Sequence, residues 1–300
     1  MHDGLPPVVS GIELWQWRRE AQQAAIAHGI PVAELDWLLQ EVARLDRLAL
    51  RLESFKDKPQ IQLTLPLPEL TKLWQQRLIA RTPVQYLAGV APWRHFSLAV
   101  SPAVLIPRPE TESLIDLAVA AAPTPAAQLG HWADLGTGSG AIALGLAEAF
   151  GAATIHAVDC SSRALAIAQQ NAHRHQLADR IQFYQGSWYS PLSALIGKLS
   201  GMVANPPYIP SSLVPELQPE VARHEPHMAL NGGEDGLDCI RHLVDISPDY
   251  LRSGGIWLIE MMAGQAPAVA ELLHRQGSYC QIQIHADLAG IERFALAYRS

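Results

Sequence analysis

The sequence predicts an α/β protein: a doubly wound, mainly parallel seven-stranded sheet preceded by an N-terminal helical bundle. Three observations predict it. From about Leu105 onward, short apolar runs alternate with helical patterns, which is how a chain builds a parallel sheet covered on both faces. The run Asp134-Leu135-Gly136-Thr137-Gly138-Ser139-Gly140 joins one strand candidate to a helical pattern beginning at Ala141. Its alternating glycines let the backbone turn tightly and approach a ligand closely. Ahead of both, apolar residues recur at helical spacing up to Arg81.

Taken in order, Gly11 to about His28 carries Leu14, Trp17, Ala21 and Ala25 near helical spacing. Val32 to Leu50 repeats the pattern with Leu35, Leu38, Leu39, Val42 and Leu45. Gln60 to Leu67 reads as a loop, and Pro68 to Arg81 as a further helix opened by proline. Residues 1–81 are therefore expected to form the helical domain. In residues 82–104 the runs Tyr86–Val90 and Phe96–Val100 flank Ala91–His95, predicting a β-hairpin linker. Residues 105–300 hold the strand candidates His131–Leu135, Thr154–Val158, Ile181–Gln185, Gly201–Ala204, Ile256–Glu260, Cys280–His285 and Arg293–Tyr298. The last two are joined by a short loop around Gly290, so they should pair antiparallel at the sheet edge. The Ala/Pro stretch Ala118–Ala127 reads as a helix end and loop.

The 300 residues suffice for two domains, and 49% hydrophobic with 17% charged residues is a globular composition. A net charge of −7 argues against a grip on nucleic acid through overall charge. Cys160, Cys239 and Cys280 are odd in number and lack metal spacing, which predicts reduced thiols in a cytoplasmic protein. The N-terminus lacks a signal-peptide pattern, and no apolar run is long enough to span a membrane. His224, Glu225 and His227 are close in sequence but are not a compelling ligand set, so no metal is expected.

Two motifs carry chemistry. Asn205-Pro206-Pro207-Tyr208 follows the apolar run Gly201–Ala204. Neither proline has an N–H, and both have φ held near about −65°. The Asn205 side chain and the Pro206 carbonyl thus offer acceptors in a stiff, donor-poor corner beside the flat ring of Tyr208. Such a corner suits a planar –NH2 group, although a Pro-Pro turn leaving a strand accounts equally well for the run alone. The second motif is the glycine loop. Asp134 precedes it where a carboxylate can meet a cationic amine, and the helix behind it favours an anion. A ligand carrying both charges, such as the methionine end of S-adenosylmethionine (SAM), fits better than a dinucleotide. Asp159 ends the next strand about 20 residues on, where an acid commonly takes ribose hydroxyls; capping the helix that starts near Ser161 is the plainer alternative. Trp188 suits an adenine face or a core position. In Ile106–Glu112, Pro109 with Glu110 and Glu112 is an ordinary helix start, which leaves Arg108 unexplained.

Together these residues resemble the class I SAM-dependent methyltransferases of Rossmann-like fold, and more narrowly the release factor glutamine methyltransferases (the PrmC/HemK family). The resemblance spans nearly the whole chain. It is carried by Leu105-Ile106-Pro107-Arg108-Pro109-Glu110-Thr111-Glu112, Gly136–Gly140, Asp159 and Asn205-Pro206-Pro207-Tyr208-Ile209. Further on it is carried by Glu225-Pro226, Ala229-Leu230, Gly232-Gly233-Glu234-Asp235-Gly236-Leu237, Glu260, and Asp287 with Gly290 and Arg293. Two positions depart from the pattern: Ser187 stands where an acid is usual, and Met261-Met262-Ala263-Gly264 replaces a small or glycine-rich turn.

The resemblance implies methyl transfer from SAM to the side-chain amide nitrogen of the glutamine in the Gly-Gly-Gln motif of peptide chain release factors. It implies Asn205, Pro206 and Tyr208 as catalytic. Asp134, Gly136, Thr137, Gly138, Ser139, Gly140, Asp159, Trp188 and Asn205 would bind the cofactor. Asn205, Pro206, Pro207, Tyr208, Arg108 and Glu110 would meet the substrate, with the helical domain recognising the protein that carries it. Release factors are the implied partners, with no membrane and no direct nucleic-acid contact. A ribosomal-protein glutamine methyltransferase, a nucleic-acid amino-methyltransferase that flips a base and a non-catalytic SAM-binding scaffold are the alternatives.

Overall fold

A computed structural model describes residues 6–124 and 128–300. These fall into two compact units. The first comprises residues up to Gly89 together with Pro219–His224. The second comprises Val90–Gln218 and Glu225–Ser300.

The first unit is helical. Ser10 opens the helix Gly11–Ala27 by accepting from the Glu13 amide, and Asp46 does the same for Arg47–Leu52 through the Ala49 amide. The helices Val32–Ala43 and Leu67–Gln75 complete the packing around Leu14, Leu35, Leu38, Leu39, Phe55 and Trp74, all buried. The expected loop Gln60–Leu67 contains a two-residue strand, Ile61–Gln62 (β2), paired with Val8–Val9 (β1). At Gln76–Ala80 the last helix widens into a π turn. There the buried Arg77 donates to both oxygens of Glu34 and to Glu220 at 2.8 Å.

One expectation fails at the end of this unit. Tyr86–Val90 reads as a strand, but Val84–Ala88 is a short helix. Pro83 at its N-cap and Gly89, left-handed at φ 71°, bound it on either side. The hairpin starts only after that turn, with Val90–Trp93 (β3) pairing Phe96–Ala99 (β4).

The second unit carries the seven-stranded sheet. Its strands are His131–Leu135 (β5), Thr154–Asp159 (β6), Ile181–Gln185 (β7), Leu199–Ala204 (β8), Leu251–Glu260 (β9), Tyr279–Ala286 (β10) and Glu292–Arg299 (β11). Their spatial order is β10-β11-β9-β8-β5-β6-β7. The pairs among β9, β8, β5, β6 and β7 are parallel, whereas β11 runs antiparallel to both neighbours. The predicted antiparallel pair is therefore present, with β10 at the edge. Both faces are covered. One core gathers Trp132, Leu144, Phe150 and Phe294, and the other gathers Met202, Leu243, Trp257 and Leu273. The helix expected near Ala118 is Ser113–Ala121, and residues 125–127 of the stretch lie outside the described residues. Strand order reverses at β5, between β6 and β8. In such sheets that switch point is where ligands bind, at the carboxyl ends of the strands. Among the described residues, no helix is long and apolar enough to cross a membrane.

Candidate active site

Asp134 stands near the end of β5 with no exposed surface. Its Oδ2 accepts from the Thr137 hydroxyl at 2.5 Å and from the Ala143 amide at 2.9 Å. The anion held by the helix Ala141–Ala149 is thus Asp134 itself. Its Oδ1 is buried without a hydrogen-bond partner among the described residues. Burial pushes this carboxyl up to about 7, opposed by the bonds from Thr137 and Ala143 and reinforced by the charge of Asp159. A buried acceptor with an unused oxygen calls for a donor, and the ammonium of an amino-acid ligand is one.

The glycine loop turns on three left-handed residues, Gly136, Gly138 and Gly140, at φ 81°, 54° and 84°. The Gly136 and Thr137 amides both donate to the Val158 carbonyl, tying the loop to β6. Thr137 and Ser139 are buried, and the Ser139 carbonyl accepts from Asn171. Gly136 and Gly138 are the loop residues with open surface.

Asp159, at the end of β6, accepts from the Gly138 amide through Oδ2 and from the Ser161 amide through Oδ1, both at 2.9 Å. It therefore makes the helix-entry bond of the plainer alternative and also braces the loop. The Cys160 thiol also donates to Oδ1, at 3.8 Å. A carboxylate has about four lone-pair sites, so one, on Oδ2, stays open to a ribose hydroxyl, and a second is held only by the weak thiol donor. Trp188 lies over the loop: a Cβ built on Gly136 would come 3.7 Å from its ring.

The Asn-Pro-Pro-Tyr corner leaves β8. Pro206 is buried, while Asn205, Pro207 and Tyr208 are partly exposed. Asn205 Nδ2 donates to the Thr111 hydroxyl oxygen at 3.1 Å. Thr111 in turn donates to Glu260 Oε2 at 2.6 Å, and the Tyr208 hydroxyl donates to Glu260 Oε1 at 3.0 Å. Burial pushes the Tyr208 hydroxyl well above the usual phenol range, with the neighbouring Glu260 charge adding to it. The Gly232–Leu237 run backs this corner. A Cβ on Gly232 would lie 2.8 Å from the Pro207 carbonyl, so only glycine fits there. Gln265 Nε2 then bonds the Tyr208 carbonyl at 3.1 Å.

Arg108, unexplained by sequence, donates through Nη2 to both oxygens of the buried Glu225, at 2.8 and 2.7 Å. Glu110 lies exposed on the 3-10 turn Glu110–Glu112. His224 Nε2 bonds the Ala80 carbonyl within the first unit, so it and Glu225 are committed to different partners. Among the described residues, no three His, Cys, Asp or Glu side chains form a metal-binding group.

The sequence alone gives no role to Thr111, Glu260 or Gln265. Thr111 and Glu260 lie inside motifs that the resemblance quotes, but only the fold brings them together.

The sheet and its site have counterparts among known proteins. A family model described as "Methyltransferase small domain" matches residues 117–216. The solved hMettl16 catalytic domain, in complex with an MAT2A 3'UTR hairpin, superposes with TM-score 0.54 at 16% identity, over 80% of this chain and 84% of that one. The Thermus thermophilus 16S rRNA N2 G1207 methyltransferase, solved with AdoMet and guanosine, gives 0.51 at 17% identity, over 70% of this chain and 50% of that one. The chain has the class I methyltransferase fold, and it is a methyltransferase. More narrowly, it belongs to the release factor glutamine methyltransferase family. The curated release factor glutamine methyltransferase of Synechocystis sp. is 54% identical over 96% of this chain and 97% of its own length. Those of Thermosynechococcus vestitus and Gloeobacter violaceus are 49% and 44% identical, over 96% and 94% of this chain and 99% and 96% of their own lengths.

Proposed function

We propose that this protein transfers a methyl group from SAM to the side-chain amide nitrogen of the glutamine in the Gly-Gly-Gln motif of peptide chain release factors. The supporting observation is the register across β5 and β8, where Asp134 pairs with Val203. Adjacent strands lie about 4.7–4.9 Å apart. The glycine loop and the Asn205 corner therefore leave the sheet side by side, with a site for a cationic amine next to acceptors for a planar –NH2 group.

SAM supplies an electrophilic methyl group when bound. Asp134 Oδ1 takes its ammonium, Gly136 and Gly138 open the loop to it, Asp159 takes the ribose hydroxyls and Trp188 covers the base. Asn205 Oδ1 and the Pro206 carbonyl accept the two amide hydrogens of the substrate glutamine. An amide nitrogen is a poor nucleophile because its lone pair is delocalised, so alignment contributes most of the rate, up to about 7–11 kcal/mol. The same acceptors stabilise positive charge developing on that nitrogen, and Tyr208 packs against the amide plane. No general base is needed before transfer, because the proton leaves afterwards. Arg108 and Glu110 flank the approach to the corner. The helical region 1–81 recognises the release factor, residues 82–104 link it to the catalytic domain 105–300, and the protein acts in the cytoplasm.

Label from methyl-labelled SAM should enter purified release factor. It should not enter the same factor with its Gly-Gly-Gln glutamine changed to alanine, ribosomal protein or transfer RNA. Label on the alanine variant, or on either of the last two alone, would overturn the assignment. Asp159→Ala is expected to weaken SAM binding at least about tenfold in calorimetry, since hydrogen bonds to a charged group contribute roughly 1.5–3 kcal/mol. Equal affinity would remove Asp159 from the ribose site.

A further inference from the structure

The Asn205 amide has two ends of nearly equal shape and opposite chemistry. With Oδ1 toward the substrate the corner accepts hydrogens from an amine. With Nδ2 there, it repels them. Which way the amide points is decided by its hydrogen-bond partners, and here the partner is unusual. Thr111 is buried, and its hydroxyl carries one hydrogen. That hydrogen is directed at Glu260 Oε2, 2.6 Å away. The oxygen left facing Asn205 has only lone pairs to offer, so it accepts from Nδ2 at 3.1 Å and leaves Oδ1 on the opposite side of the amide.

Glu260 stands at the end of β9 with 1% of its surface exposed. Its other oxygen takes the Tyr208 hydroxyl at 3.0 Å. Burial pushes this carboxyl above its ordinary value, opposed by the bonds from Thr111 and Tyr208 and by the charge of Arg293, and reinforced by the charge of Glu110. Its two oxygens, each accepting one hydroxyl hydrogen, thereby orient both the acceptor side chain and the stacking ring of the corner. The two residues are far apart in the chain, Thr111 in the 3-10 turn after Arg108 and Glu260 at the end of a strand 149 residues later. Neither is within the Asn-Pro-Pro-Tyr motif, and neither is placed in contact with substrate or cofactor.

We infer that Thr111 and Glu260 are positioning residues for methyl transfer: the Glu260 carboxylate takes the only hydroxyl hydrogen of Thr111, and Thr111 thereby makes Asn205 present Oδ1 to the substrate amide. This rests on the proposed role of Asn205 as the acceptor of the substrate's amide hydrogens. Glu260→Gln tests the carboxylate. A neutral amide has one acceptor oxygen and cannot take both hydroxyl hydrogens, so either the Thr111 hydrogen is released and either end of the Asn205 amide can face the substrate, or the Tyr208 hydroxyl loses its acceptor and the ring its anchor. Thr111→Val removes the hydroxyl while keeping the shape, and Thr111→Ser keeps it.

The expected result is a split between turnover and binding. Thr111→Val and Glu260→Gln lower kcat at least about tenfold, equivalent to about 1.4 kcal/mol of barrier. KM for release factor and SAM affinity by calorimetry stay within about threefold. Thr111→Ser returns kcat to within about threefold of the parent. An activity-independent readout accompanies this: hydrogen exchange of the Asn205 side-chain amide by NMR, slowed in the parent and in Thr111→Ser and fast in Thr111→Val. Thr111→Val with kcat within twofold of the parent would overturn the inference. So would equal loss in the valine and serine variants, loss of SAM binding in Thr111→Val, or Asn205 exchange that is the same in parent and Thr111→Val. Should the parent label ribosomal protein or transfer RNA in place of release factor, the substrate assignment fails alone. The same variants on that acceptor, with the exchange measurement, then decide the positioning role.

Discussion

Asn205→Ala is expected to lower kcat by roughly 10²–10³-fold, the loss typical of removing one preorganised group that stabilises transition-state charge. SAM should still bind. The side chain is partly exposed and makes a single bond to Thr111, so its removal costs the fold little. Thr111 keeps Glu260, and Tyr208 keeps its own bond to the same carboxylate. On the proposed roles, what disappears is one of two acceptors for the substrate amide, the other being the Pro206 backbone carbonyl, which no substitution of a side chain removes. Single-turnover rates with saturating SAM and release factor measure the chemical step directly. Turnover within threefold of the parent would show that the amide is held elsewhere.

The second large effect belongs to Asp134 and is a dependence on pH. In the free protein its carboxyl sits at about 7, against an ordinary 3.8, chiefly because it is buried. The folded state therefore holds this proton more tightly than the unfolded chain does. Its contribution to stability is complete below the ordinary value and declines as pH rises toward about 7, by about 1.4 kcal/mol per pH unit between the two. A bound ammonium reverses the preference, since it favours the ionised carboxylate. SAM affinity should accordingly rise as pH passes from 6 to 8 and level off above that range. Binding near pH 6.5 should release a proton, visible as a heat that varies with the buffer. Asp134→Asn keeps the shape and removes the charge. It should weaken SAM binding at least tenfold and flatten both the affinity profile and its share of the melting profile. A variant as sensitive to pH as the parent would place the titration on another group.

Much of this was legible in the sequence, because local rules dominate there. A glycine loop between an apolar strand and a helix admits few geometries, and β5, β7 and the loop at Gly136–Gly140 lie where periodicity put them. The corner at Asn205 was legible for a similar reason, since two prolines stiffen a chain whatever surrounds them. Partnerships across the fold were not. That Arg108 meets Glu225, or that Thr111 meets Glu260, follows from how the turn after Arg108 and the end of β9 pack, and no spacing encodes it. Val84–Ala88 misled for the opposite reason. Its apolar content suits a strand, and the deciding signals were the flanking Pro83 and Gly89 rather than the residues between them.

The segment Pro219–His224 has a consequence for how the molecule is made. Glu220 supplies a second carboxylate to Arg77, 143 positions earlier in the chain, and it also pairs with Arg81. A nascent chain therefore emerges with its helical part only provisionally closed. The buried guanidinium has Glu34 to hold it at first, and it gains its remaining partner only after most of the sheet strands have been synthesised. No single cut separates the two units. A fragment ending at Gly89 would retain the helices and lack part of their electrostatic closure, whereas a catalytic fragment starting at Val90 would carry six residues whose native neighbours are gone.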